Sequence, residues 1–193
     1  MPSIADLNPP DSPNGKDVVS PPTRASWRRW LDANPDRSEG VWVVYVRDKS
    51  PFEGPGYMDL VEEALCFGWI DSVVKGVDDD RLIQWFSPRR KGGIWSALTK
   101  ERLARLDTAG LMTDRGRAAI DTAKSDGSWT AYDPVEALVI PKDLAEALRR
   151  DRLTAAFGSL SPSVKKQHLW SVYSAKRPET RTARIQSILD DIR

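Results

Sequence analysis

Val61-Glu62-Glu63-Ala64-Leu65-Cys66-Phe67-Gly68-Trp69-Ile70-Asp71-Ser72 changes its apolar period partway along. Before Gly68 the spacing is helical, with Met58, Val61, Ala64 and Leu65 on one side of a helix over Met58 to Phe67. Gly68 stands where a left-handed C-cap is expected. Beyond it, Trp69 to Val74 and Arg81 to Phe86 read as strands. Lys75-Gly76-Val77-Asp78-Asp79-Asp80 links them as an antiparallel hairpin. A helix that feeds straight into a hairpin points to an α+β fold.

Working outward toward the N-terminus, Arg47 to Tyr57 is a loop with glycine and proline at Gly54, Pro55 and Gly56, suited to act as a lid. Gly40-Val41-Trp42-Val43-Val44-Tyr45-Val46 is apolar at every second and every intervening position, which suits a strand covered on both faces. Thr23 is the expected N-cap of a first helix that carries Trp27, Trp30 and Leu31 and ends at Asn34-Pro35. Residues 1–23 are rich in Pro, Ser, Asp and Asn, and are expected to form a flexible leader with too little apolar surface to order itself.

Toward the C-terminus, Arg89 to Gly93 is a basic turn before a helix over Ser96 to Asp107. Thr113 caps a helix to Lys124, Pro141 opens a helical run reaching Phe157, Ser161-Pro162 opens another through Tyr173, and Pro178 opens the last. The expected architecture is therefore α+β. It has a small antiparallel or mixed sheet of about three strands packed with helices, followed by a helical C-terminal part. The expected divisions are a leader at 1–23, an α+β domain at 24–134 and a helical subdomain at 135–193.

Composition narrows the function. Of 193 residues, 40 % are hydrophobic and 30 % charged, the balance of a soluble globular chain. One Cys excludes an internal disulfide and a cysteine-based zinc site, and one His leaves too few imidazoles for a common metal centre, so no metal and no cofactor are expected. No apolar run approaches the ~20 residues of a membrane span, so no membrane insertion is expected. The start lacks the basic-then-apolar order of a secretory signal, so a cytoplasmic setting is expected. Residues 1–80 carry 8 basic and 15 acidic side chains and residues 81–193 carry 21 and 13. Such a split suits either an anionic partner or two mutually attracting halves.

The chemistry concentrates between Cys66 and Ser96. Asp71 lies in a strand, where a carboxylate is costly to bury alone, and Arg89 or Arg90 beyond the second strand can pair with it. That pair is either an internal salt bridge or a polar pocket in which Asp71 orients an arginine toward a ligand carboxylate or phosphate. Trp69 and Trp95 are either apolar walls or core, Ser96 is a hydroxyl at a helix start, and Lys49 and Tyr57 on the preceding loop can close over the site. Cys66 is either a nucleophile activated by the arginines or a small buried hydrophobe. His168, on a basic helix face, reads as a solvated or capping residue.

Several runs resemble the bacterial YdeI/OmpD-associated family. They include Trp27-Arg28-Arg29-Trp30-Leu31, Gly40-Val41-Trp42-Val43, Val61 to Ser72, Phe86-Ser87-Pro88-Arg89-Arg90 and Trp95-Ser96. Leu160-Ser161-Pro162-Ser163 and Ala175-Lys176-Arg177-Pro178-Glu179-Thr180-Arg181 resemble its closing helices. Arg47-Asp48-Lys49 departs from the paired lysines common there. The resemblance implies a role in bacteriocin protection or antimicrobial stress and, through the family name alone, association with a porin. It supplies no catalytic residues.

The expected function is binding of a small anionic or aromatic ligand, or a peptide, by Trp69, Asp71, Arg89, Arg90, Trp95 and Ser96 with Tyr57 and Lys49. The alternative is an enzyme at the same place, with Asp71 as acid/base or Cys66 as nucleophile. Nucleic-acid binding is a third class, resting on the basic second half with Trp129, Trp170 and Tyr173.

Overall fold

The strand over Val41–Val46 (β2) is the centre of the molecule's sheet, with five of its six residues buried. In this computed structural model, which describes residues 2–193, β2 pairs antiparallel with Arg81–Pro88 (β4), and β4 pairs antiparallel with Trp69–Gly76 (β3). A short strand, Val18–Val19 (β1), runs parallel to β2 on its other side. The order is β1-β2-β4-β3, so the sheet is mixed and has four strands among the described residues rather than about three. Two β-branched residues make too short a run to announce β1 in the sequence.

Alternation of side chains divides the sheet into two faces. Val41, Val43 and Tyr45 share one face with Gln84 and Phe86. There the Trp27 ring, on the helix Arg24–Ala33 (α1), lies 5.5 Å from Phe86. The Trp27 indole N–H donates to the Leu60 carbonyl at 3.0 Å, which joins α1 to the helix Tyr57–Cys66 (α2). Trp42, Val44 and Ile83 fill the opposite face with Ile4, and Val18, Val46, Val77 and Trp85 pack around them. Both faces of β2 are covered, as its unbroken apolar run implies.

Residues 2–19 differ from the flexible leader the composition suggests. Ile4 is fully buried, its N–H donates to the Glu53 carbonyl at 2.8 Å, and the Trp42 N–H donates to the Asp17 carbonyl at 3.0 Å. The segment needs only Ile4, Val18 and Val19 to dock, because the sheet already offers an apolar face. A low overall hydrophobic content conceals three well-placed side chains.

The N-caps follow the sequence closely. Thr23 caps α1 through Ser26, and Thr113 caps the helix Asp114–Ser125 (α4) through Gly116. The helix Ala97–Thr108 (α3) follows the basic turn. Later helices are Asp133–Glu136 (α5), Lys142–Arg150 (α6), Thr154–Ser159 (α7), Pro162–Tyr173 (α8) and Pro178–Asp191 (α9). The single run expected from Pro141 to Phe157 divides into α6 and α7 around Arg152, whose φ is +61°. A left-handed residue cannot continue a right-handed helix.

The chain forms two compact units. The first holds residues 1–93 and 98–126, and the second holds 94–97 and 127–193. The expected boundary at 134/135 thus falls inside the second unit. That unit has its own core of Val135, Leu144, Leu148, Phe157, Leu169, Val172, Ile188 and Leu189.

Candidate functional site

Gly68 sets the local geometry. Its φ is +75°, and an added Cβ would lie 2.9 Å from that of Ala119. A side chain there is therefore excluded both by conformation and by space. Its carbonyl accepts the Arg89 N–H at 2.9 Å, which ties the end of β4 back to the start of β3. In the register, Trp69 faces Pro88 and Asp71 faces Phe86. Asp71 and Arg89 thereby come to the same end of the hairpin.

The Asp71 carboxylate is held from two elements. The Tyr57 hydroxyl, on the first turn of α2, donates to Asp71 Oδ2 at 2.7 Å. The Gln84 amide donates to the same oxygen at 3.2 Å and to the Ser72 carbonyl at 3.1 Å. Gln84 is buried on the face it shares with Phe86, and the register shifts between Asp71 and Val74 opposite it. Such a bulge re-aims side chains next to it. The Tyr45 ring lies 5.9 Å from that of Tyr57 and completes the cluster.

Electrostatics follow from this arrangement. Burial pushes the Tyr57 phenol well above its ordinary range, and the bond to Asp71 adds to it. Burial likewise raises Tyr45. The Arg89 guanidinium, half-buried, is pulled down to about 10 by desolvation, and the Asp71 charge offsets part of the loss. It stays protonated at neutral pH. The cluster therefore presents a fixed anion beside a poorly hydrated cation, an arrangement suited to gripping an acidic group.

Arg90 is exposed on the turn, and Lys49 is exposed on the β2–α2 loop. Trp69 is core: it is buried, with its ring edge-on to Trp30 at 5.9 Å, and Trp30 stacks on Trp27 at 5.1 Å. Trp95 and Ser96 belong to the second unit, where the Trp95 ring lies 5.1 Å from Trp129. Tyr57 is a helical residue rather than part of a loop. His168 packs its ring 6.3 Å from Phe157.

Cys66 lacks the features of a nucleophile. It is fully buried, and burial followed by the Glu63 charge pushes its thiol up, against the opposing effect of Arg28. The arginines near it chiefly serve Glu63, although Arg28 also reaches the thiol. Arg24 Nε donates to Glu63 Oε1 at 2.6 Å and Arg28 donates to Oε2 at 2.7 Å. Among the described residues, no group of three or more His, Cys, Asp or Glu could hold a metal ion. None of their helices is long and apolar enough to cross a membrane.

Sequence reasoning missed both Gln84 and the burial of Glu63. An isolated amide in Leu82-Ile83-Gln84-Trp85-Phe86, on the same face as Phe86, was the available signal for the first. Arg24 and Arg28, four apart on one face of α1, were the signal for the second.

Two family models match the chain. One, described as a domain of unknown function (DUF8412), matches residues 19–119 and so contains Gly68, Asp71, Gln84 and Arg89. The other, described as bacteriocin-protection, YdeI or OmpD-associated, matches residues 137–193, which hold α6 to α9 of the second unit. No curated protein and no solved structure matches.

Proposed function

We propose that this chain, which belongs to the DUF8412 family and closes with a YdeI/OmpD-associated segment, acts by binding a small anionic or aromatic ligand. The observation that supports this reading is a doubly anchored Asp71 carboxylate whose charge acts on the desolvated Arg89 guanidinium at the same end of the hairpin. Asp71 orients Arg89, Arg89 meets the acidic group of the ligand, and the rings of Tyr57 and Tyr45 stand alongside. The setting is cytoplasmic, and the role is protection against a bacteriocin, antimicrobial or related stress.

Binding is favoured over turnover by the state of the reactive groups. The Cys66 thiol and the Tyr57 phenol are both held protonated, so neither supplies a nucleophile or base at neutral pH. Asp71 Oδ2 is already engaged by two donors.

A thermal-shift screen of small anionic and aromatic metabolites and antibiotics tests the proposal, because a ligand that binds only the folded state must raise the melting temperature. A stabilising compound is expected to lose its effect on Arg89→Ala and to keep it on Cys66→Ser. Equal stabilisation of Arg89→Ala would remove the cluster from the account. Loss of the effect in a folded Cys66→Ser protein would favour an enzyme.

A further inference from the structure

The face of the sheet turned away from α1 and α2 carries a second feature. A groove of about 350 Å³ is lined by Asn14, Lys16, Trp42, Val73, Lys75 and Trp85. Its volume falls at the lower end of the range for small-molecule sites. All six residues belong to the first unit.

The fold builds this groove from the register. Trp42 on β2 faces Trp85 on β4, and their rings meet edge-on, centroids 5.2 Å apart. Lys75 extends from β3 and places its ammonium 5.2 Å from the centre of the Trp42 ring. The bulge between Asp71 and Val74 brings Val73 to the rim, where it is more than half exposed. Asn14 and Gly15, both with positive φ, form the turn that delivers Lys16 from the other side.

The charge is one-sided. Two ammonium groups line the groove, and no carboxylate does. Glu39 reaches Lys16 at 3.1 Å, but both partners are substantially exposed, so the pair is readily exchanged for another anion. The two indoles, inclined 65° to each other, offer apolar aromatic walls, and the lysines beside them offer charge without the fork that selects phosphate or carboxylate pairs.

We infer that the groove over Trp42 and Trp85 is a ligand site, distinct from the Asp71–Arg89 cluster, for a planar aromatic anion of one or two rings. The ring lies against the indoles, and its anionic group takes Lys75 and displaces Glu39 from Lys16. The proposal rests on this groove alone, so it stands or falls independently of the Arg89 reading.

Calorimetric titration of the full chain with 2-naphthoate tests it, with cyclohexanecarboxylate and methyl 2-naphthoate as the non-aromatic and uncharged controls. Naphthoate is expected to bind, and each control at least roughly tenfold more weakly. Lys75→Glu and Trp85→Leu should each weaken naphthoate by roughly tenfold or more, and should do so equally in an Arg89→Ala background, where the other cluster is removed. Lys75 is exposed, so Lys75→Glu keeps the test valid if Trp85→Leu does not fold. Indole N–H resonances of Trp42 and Trp85 should move on titration while that of Trp27 stays. Absence of binding, equal binding of the controls, or wild-type affinity in Lys75→Glu would overturn the proposal. Loss of binding in Arg89→Ala alone would do so as well, and would assign naphthoate to the other face.

Discussion

Glu63 is the residue on which the helical layer of the first unit depends. It is buried, and each carboxylate oxygen takes a guanidinium hydrogen bond, from Arg24 and Arg28. Burial is the largest single influence and pulls those two arginines down, yet Glu63, joined by Glu62 at Arg24 and by Cys66 at Arg28, leaves both above their ordinary value. Arg24 also reaches Glu62 at 3.0 Å and Asp59 at 3.3 Å, so one side chain staples α1 along α2. Removing one partner of such a buried network strands the others. Glu63→Ala is expected to cost about 3–5 kcal/mol in denaturant unfolding, and Glu63→Gln clearly less. Equal, small losses in both variants would mean that the charge contributes little.

Individual roles were only partly legible at this scale. Gly68, Thr23 and Thr113 could be read because a cap or a left-handed turn depends on the residue itself and its near neighbours. That Asp71 and Arg89 come to one end of the hairpin was legible from the order of the two strands. Tyr57 was read as a closing loop residue but not as a donor to Asp71, and Gln84 was not read at all, because which donors reach a carboxylate depends on how a helix and two strands pack. Cys66 was read against the motif's Arg89 and Arg90, whereas the arginines it meets, Arg24 and Arg28, come to it and to Glu63 only when α1 meets α2.

At the scale of elements, α2 and α4 approach each other closely through backbone. The Cys66 carbonyl at the end of α2 accepts the Thr113 N–H at 3.1 Å and the Thr113 hydroxyl at 2.7 Å. Gly116, one turn on, lies so close that an added Cβ would overlap the same carbonyl. Backbone cannot give way as a flexible side chain can. Gly116→Ala is therefore expected to destabilise by about 1–3 kcal/mol despite the better helix propensity of alanine, measured by denaturant midpoint. A stabilised variant would show that the two helices part freely. The strands and most helices were legible from period and caps, whereas β1 was not: its two residues gain order only from the strand they join.

At the scale of the whole molecule, the two units carry different family matches, and each has its own core. The α+β class followed from the order of periods along the chain. The unit boundary did not, since Ile94–Ala97 joins residues distant in sequence. In the second unit, Arg181 donates to Asp143 at 2.9 Å from α9 to α6, and this hydrogen bond holds the carboxylate below its usual range. A carboxyl group with a lowered folded pKa stabilises above its unfolded pKa, and the contribution is lost as pH falls through the folded value. Asp143→Asn is expected to lower stability at pH 7 and to flatten the acid limb below about pH 4. An unchanged acid limb in the variant would remove the pair from the account.

The central claim is that Arg89 meets the ligand, and the Nε–H NMR resonance of Arg89 reports on it directly. With the strongest stabilising compound from the thermal-shift screen at saturation, that resonance is expected to shift while those of Arg24 and Arg28, bound to Glu63, remain in place. A compound that binds and leaves the Arg89 resonance unmoved would contradict the claim.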